Sequence, residues 1–190
     1  MKKSLSILLS LAVLFIAGCS KAEPTDMTTA TPAPAAKEVA DAPEGCPKWS
    51  SITAKTSDLP QTTFAPESQF LNIWNKTPDA GQFVFSNYRV EKDNIYAKDA
   101  YAAGDALVVV RFVFPDKLPV GVGNYSSAKD AKAKVKEVNI SSKDLAGGVF
   151  DQNGTMEISV MTDKYACGKL KFNDGRSLLE GDFIVEVNKL

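Results

Sequence analysis

Apolar and polar positions in this chain alternate with a period of two far more often than with the period of a helix. The clearest run, Ala106–Phe114 (ALVVVRFVF), is β-branched and aromatic and is bounded by Gly104-Asp105 and Pro115-Asp116, which predicts a strand. Its near-continuous apolarity requires cover on both faces, Arg111 excepted. Gly81–Val90 (GQFVFSNYRV) sets Phe83, Phe85 and Asn87 against Val84, Ser86 and Tyr88. Thr155–Met161 places Met156, Ile158 and Val160 on one face, with Glu157 and Ser159 opposite. Ser177–Val187 alternates Phe183, Val185 and Val187 with Asp182, Ile184 and Glu186. Turn signals at Asp151-Gln152-Asn153-Gly154, Asn173-Asp174-Gly175 and Gly147-Gly148 join such runs. About eight or nine strands at this spacing predict an all-β fold, a single antiparallel β-sandwich or β-barrel.

One stretch reads two ways. Ser127–Val138 is the best helix candidate, beginning at Asp130, yet Lys132, Lys134 and Lys136 recur at every second position, which is a strand period. As a strand, it is either a basic ridge for lipid headgroups or anionic polysaccharide, or an edge whose lysines discourage pairing with other chains. The edge needs no ligand and is the default for surface lysine.

The pattern changes upstream. Lys2 and Lys3 precede an apolar run from Leu5 to Ala17, too short to cross a bilayer as a helix and of the length of a secretory core segment. It lacks the polar stripe of a buried amphipathic helix. The run closes with Ile16-Ala17-Gly18-Cys19, which resembles the bacterial lipoprotein signal. The resemblance implies removal of residues 1–18, acylation of Cys19 and attachment to a membrane through the lipid anchor. Each buried methylene contributes about 0.8 kcal/mol to such an anchor. In this family an Asp after the Cys marks retention in the inner membrane, so Ser20 implies the outer membrane, facing the periplasm or the cell surface.

Ala, Thr and Pro dominate Ser20–Glu44, with Met27 and Val39 its larger apolar residues. Such a composition buries too little surface to offset chain entropy. The expected layout is therefore a leader (1–18), a lipidated Cys with a disordered tether (19–44) and a β-domain (45–190).

Composition then narrows the chemistry. Lys and Arg number 22 against 23 Asp and Glu, for a net charge of −1, and the leader takes Lys2 and Lys3 with it. Nucleic acid is excluded as a partner on charge. The chain has no His, hence neither the commonest metal ligand nor the commonest general base, and no cofactor or metal site is expected. With Cys19 acylated, Cys46 and Cys167 are the remaining thiols, and in an oxidising envelope they form one disulfide. It ties the start of the domain to its penultimate strand. A redox or metal role lacks a Cys-x-x-Cys partner.

The remaining motifs carry little. Ser126-Ser127-Ala128-Lys129 fits the Ser-x-x-Lys of penicillin-binding serine enzymes, but the companion motifs Ser-Asp-Asn and Lys-Thr-Gly are absent from the sequence. Asp151-Gln152-Asn153-Gly154-Thr155 opens like a calcium loop, yet Thr162 stands where a bidentate Glu is needed. Pro119–Tyr125 is Gly-spaced without a strand-to-helix context, so it reads as a loop rather than a phosphate cradle. Trp49, Trp74, Tyr96 and Tyr101 are either a stacking surface for sugars or peptides, or, for most of them, core. The run from Gly154 to Phe183, with Cys167-Gly168, Asp174-Gly175 and Gly181-Asp182-Phe183, resembles the closing strands of secreted bacterial β-domains, a likeness that implies topology and no activity. The expected function is a non-enzymatic envelope lipoprotein with a binding or structural role toward an envelope protein, peptidoglycan or polysaccharide. A β-barrel carrier of an apolar ligand is the alternative, and an envelope hydrolase the third reading.

Overall fold

The computed structural model describes residues 37–57, 59–96, 102–143, 148–149 and 153–190, the pair 148–149 by its main chain. Cys19 and Tyr101 lie outside the described residues. The strands are β1 (Ser51–Lys55), β2 (Thr62–Phe64), β3 (Ser68–Trp74), β4 (Thr77–Ser86), β5 (Ala106–Val113), β6 (Gly123–Ser126), β7 (Lys134–Ser142), β8 (Gly148–Val149), β9 (Gly154–Met161), β10 (Tyr165–Asn173) and β11 (Leu178–Lys189).

Pairing runs β10-β9-β6-β7-β5-β4-β3-β11, and β11 returns to β10, so eight strands close a ring. The all-β expectation holds, and its barrel form is the one adopted. β1 and β2 hang on β11, and β8 on β7. Two joints of the ring are parallel. β11 meets β3 through Glu186–Lys189 and Phe70–Ile73, whereas β6 meets β7 through the single pair Ser126 and Lys134.

Alternation places the core. Phe83, Phe85, Phe112, Tyr125 and Phe183 point inward and are fully buried or within 1% of it. The Phe83 ring lies 4.8 Å from Phe183 and 5.2 Å from Phe112, and Phe112 lies 4.9 Å from Tyr125. The barrel interior is thereby filled with side chains, as eight strands permit.

Val160 departs from its expected face. Cys167 pairs with Val160 but Gly168 pairs with Ile158, so Ser159 is an extra residue. This bulge turns Val160 outward to Cys167 and Ile184, while Met161 returns to the core side. The strands approach closely here, since a Cβ on Gly168 would stand 1.8 Å from the Glu157 carbonyl oxygen.

Two segments cover the outside of the barrel. Residues 87–96 cross β3, β4 and β5, where Ile95 packs with Phe70, Val84, Leu107 and Val109. This supplies the second cover that the apolar run of β5 required. Beside these residues a polar row crosses five strands in register: Asn188, Asn72, Gln82, Arg111 and Glu137. Asn188 donates to Asn72 (3.2 Å), Asn72 donates to the Lys92 carbonyl (2.9 Å), and Arg111 donates to Glu137 (2.7 Å). The row anchors the crossing segment at Lys92.

The second cover corrects the expected tether. Residues from Lys37 onward belong to the described fold, and Val39, Ala42 and Cys46 pack on Tyr165, Cys167 and Ile184. The Val39 amide donates to the Lys48 carbonyl (2.8 Å), and Tyr165 donates to Asp41 (2.7 Å), which also pairs with Lys164. The folded part thus begins upstream of Gly45. The disulfide adds to these contacts: Cys46 and Cys167 are bonded, with Cα atoms 5.7 Å apart.

This clasp has a pH signature. The Lys164 ammonium, and after it the Tyr165 hydroxyl, hold the Asp41 carboxyl below its ordinary 3.8. A carboxyl depressed in the folded state stabilises fully above its unfolded value and loses that contribution as pH falls through its folded one. The expected outcome is that Asp41→Asn narrows the difference in melting temperature between pH 6 and pH 3. Equal differences in wild type and variant, measured by calorimetry, would remove the clasp carboxylate as the cause.

The Ser127–Val138 helix does not form. Residues 128–133 make a turn and β7 follows, pairing along its length with β5. β7 is therefore no simple edge strand. Its other side meets β6 at Lys134 and β8 at Asn139 and Ile140. Lys136 is exposed and Lys134 half-buried, its ammonium donating to the Lys129 carbonyl (2.7 Å).

Candidate functional site at the barrel mouth

At one end of the barrel the ends of β3, β9 and β11 meet the start of β4 and the loop from β5 to β6. They surround a concavity of about 660 Å³. Its apolar lining comes from Ile73 and Trp74, Pro78, Pro119, Val120, Val122 and Met161, and its polar rim from Asn75, Thr162, Asp163 and Lys189. The mouth of a barrel is a common place for a ligand, and this volume falls in the range of small-molecule sites, about 300–1,000 Å³.

The loop over the mouth is built, not loose. Its main chain docks on the start of β4, with Phe114 donating to the Asp79 carbonyl (2.6 Å) and Val120 to that of Pro78 (2.8 Å). From below, the buried Tyr125 hydroxyl donates to the Gly121 carbonyl (2.7 Å). Burial pushes the Tyr125 phenol up to about 12, so it remains a neutral donor across the ordinary pH range. Asp116 and Lys117 take left-handed conformations at φ 58° and 57°, each a strain of about 1–3 kcal/mol in a non-glycine residue. The result turns Leu118 and Val122 outward, 53% and 56% exposed.

Among the described residues lining the mouth, the charged side chains are Lys189 and Asp163. Lys189 donates to Asp163 at 3.0 Å, and the Asp163 side chain is 99% exposed. Thr162 is occupied, since its Oγ1 accepts from the Tyr165 amide (2.9 Å). The arrangement can hold an apolar body beside a charged rim.

A second groove, of about 350 Å³, lies where β1 and β3 part along β11. On the side of β11 away from β10, the Ser50 hydroxyl serves the Ile184 main chain, donating to its carbonyl (3.0 Å) and accepting from its amide (2.9 Å). Val39, Phe70 and Val90 line it, with Glu38 and Glu67 among its charged residues.

The residues singled out in the sequence fare unevenly. Cys46 and Cys167 are brought together. Ser126 accepts from the Ala128 amide (3.2 Å) and Ser127 donates to the Gly154 carbonyl (3.2 Å), so the Ser-x-x-Lys stretch makes a turn. Gly154 opens β9, while Asp151 and Gln152 lie outside the described residues. Trp49 and Tyr96 are 51% and 47% exposed. They are not core, and Trp74 is half-buried at the mouth. Among the described residues no group of three Cys, Asp or Glu side chains is placed to hold a metal ion. Sequence reasoning missed the mouth, although Lys189 left a signal. It ends the inward row Phe183, Val185, Val187 at the same period of two.

Compared with known proteins, the chain matches no family model, no curated protein and no solved structure.

Proposed function

We propose that this protein is a lipid-anchored envelope lipoprotein that works by binding, not catalysis, and that its barrel takes an apolar group at the mouth. The observation that carries the binding site is the contrast between a filled interior and an open apolar end. Phe83, Phe85, Phe112 and Phe183 occupy the space in which a wider barrel would carry its ligand, so a ligand is held at the end of the barrel and not inside it. The anchor rests on Lys2 and Lys3, the apolar run to Ala17 and Ile16-Ala17-Gly18-Cys19.

Two experiments test the two parts. Labelling cells with a radioactive fatty acid is expected to mark the wild type and leave Cys19→Ser unmarked; equal labelling removes the anchor. For the mouth, the Cys19→Ser protein is titrated with N-phenyl-1-naphthylamine, a neutral fluorophore that brightens in apolar surroundings. Saturable brightening that Val122→Asp and Trp74→Ala weaken supports the site. Brightening that is absent, or unchanged in both variants, overturns it.

A further inference from the structure

The mouth is not uniformly apolar, and its charge is placed asymmetrically. Along β11 the residues Phe183, Val185, Val187 and Lys189 share one face, the face that fills the barrel. The cation thus stands at the end of a column of core side chains, where a long aliphatic stem lies on apolar surface while its ammonium reaches water. Asp163, its partner, stands on the β9–β10 turn with its side chain 99% exposed. An ion pair this exposed contributes little, so a competing anion exchanges with Asp163 at small loss. Asp163 lines the same mouth, but it stands on the turn and, unlike Lys189, brings no long apolar stem to a ligand.

We propose that the ligand of the mouth is an anionic amphiphile of the fatty-acid class, its chain against Trp74, Val120, Val122 and Met161 and its carboxylate on the Lys189 ammonium. This rests on the mouth being the binding site, and it adds that Lys189 selects the head group. Lys189 makes two contributions to such a ligand, a charge-assisted hydrogen bond and an apolar stem. Only the first discriminates between head groups.

The test compares laurate with dodecanol, which share a twelve-carbon chain and differ in charge. Binding of each to the Cys19→Ser protein is measured by displacement of N-phenyl-1-naphthylamine at pH 8 and low salt, below micelle formation. The expected result is that laurate binds about two- to fivefold more tightly than dodecanol, the upper part of the range of one exposed charge pair. Lys189→Met, which keeps an apolar stem, is expected to bring laurate down to the level of dodecanol in the same variant. Asp163→Asn, which removes the competing carboxylate, is expected to tighten laurate alone. Equal binding of the two ligands by the wild type, or a preference for laurate that survives Lys189→Met, overturns the head-group assignment while the apolar mouth stands. Failure of both ligands to displace the fluorophore overturns the mouth itself. Circular dichroism of Lys189→Met separates a lost contact from a lost fold. The conservative Lys189→Arg, which keeps the charge, is expected to restore the preference.

Discussion

Removing the Cys46–Cys167 bond with paired alanine substitutions is expected to lower the melting temperature by about 10 °C. The bond joins residues 121 apart in the chain, and closing a loop near this length removes up to about 4.7 kcal/mol of unfolded-state entropy. Engineered and native bridges return less or more than this, about 2–5 kcal/mol, and in a domain of this size each kcal/mol moves the midpoint by about 2–4 °C. The folded state loses something too. The small residues Val39 and Ala42 pack on Tyr165 and Ile184 with Cys46 fixed beside them. Hydrogen exchange at the Val39 amide, which donates to Lys48, is expected to quicken more than exchange in β4 or β5. A midpoint within 2 °C of wild type would mean that the clasp needs no staple.

Phe183→Ala is expected to be of similar or greater effect, about 3–5 kcal/mol, the range for deleting a buried aromatic ring. The Phe183 ring meets Phe83 at 4.8 Å and Phe85 at 5.8 Å, and all three are fully buried. The neighbouring strands are tied into a ring and cannot collapse onto the gap. The cavity is apolar and stays dry, so benzene is expected to bind it and recover part of the lost stability. Phe183→Leu is expected to lose less than Phe183→Ala. Chemical denaturation with an unchanged dependence on denaturant would show that the native state, not the unfolded one, was altered. A loss below about 1 kcal/mol would mean that the core repacks around the site.

Much of this fold was legible because strand period is local. The runs at Ala106–Phe114 and Thr155–Met161 match β5 and β9 within a residue. Two apolar residues on nominally outward positions also carried information: Val109 and Ile184 each announce a cover. What the cover is, and that the sheet closes as a barrel, depends on pairs such as Phe70 with Glu186 that lie far apart in the chain. No local pattern reports them. The boundary at Gly45 failed because Val39 and Ala42 sit in a composition poor in apolar residues, and the residues they pack on, Tyr165, Cys167 and Ile184, lie far along the chain. The mouth was illegible for the same reason. Its lining is drawn from the ends of β3, β9 and β11 and one loop, and each contributes only a few residues. Val160 was misplaced because a bulge adds one residue without any sequence mark beyond the glycine opposite.

β11 pairs with β10 along most of its length, with β1 at its beginning and with β3 at its end. It follows all three partners in the chain. A polypeptide emerging from its amino end can therefore form hairpins such as β3–β4 early, but it cannot become a cylinder until the last of these strands is present. Until then β1 and β3 lack a shared neighbour, and the aromatic interior lacks Phe183. Closure then depends on contacts between the two ends of the domain, which places folding in the slow range of all-β topologies, on the order of milliseconds to seconds. Closure of the ring therefore waits for β11.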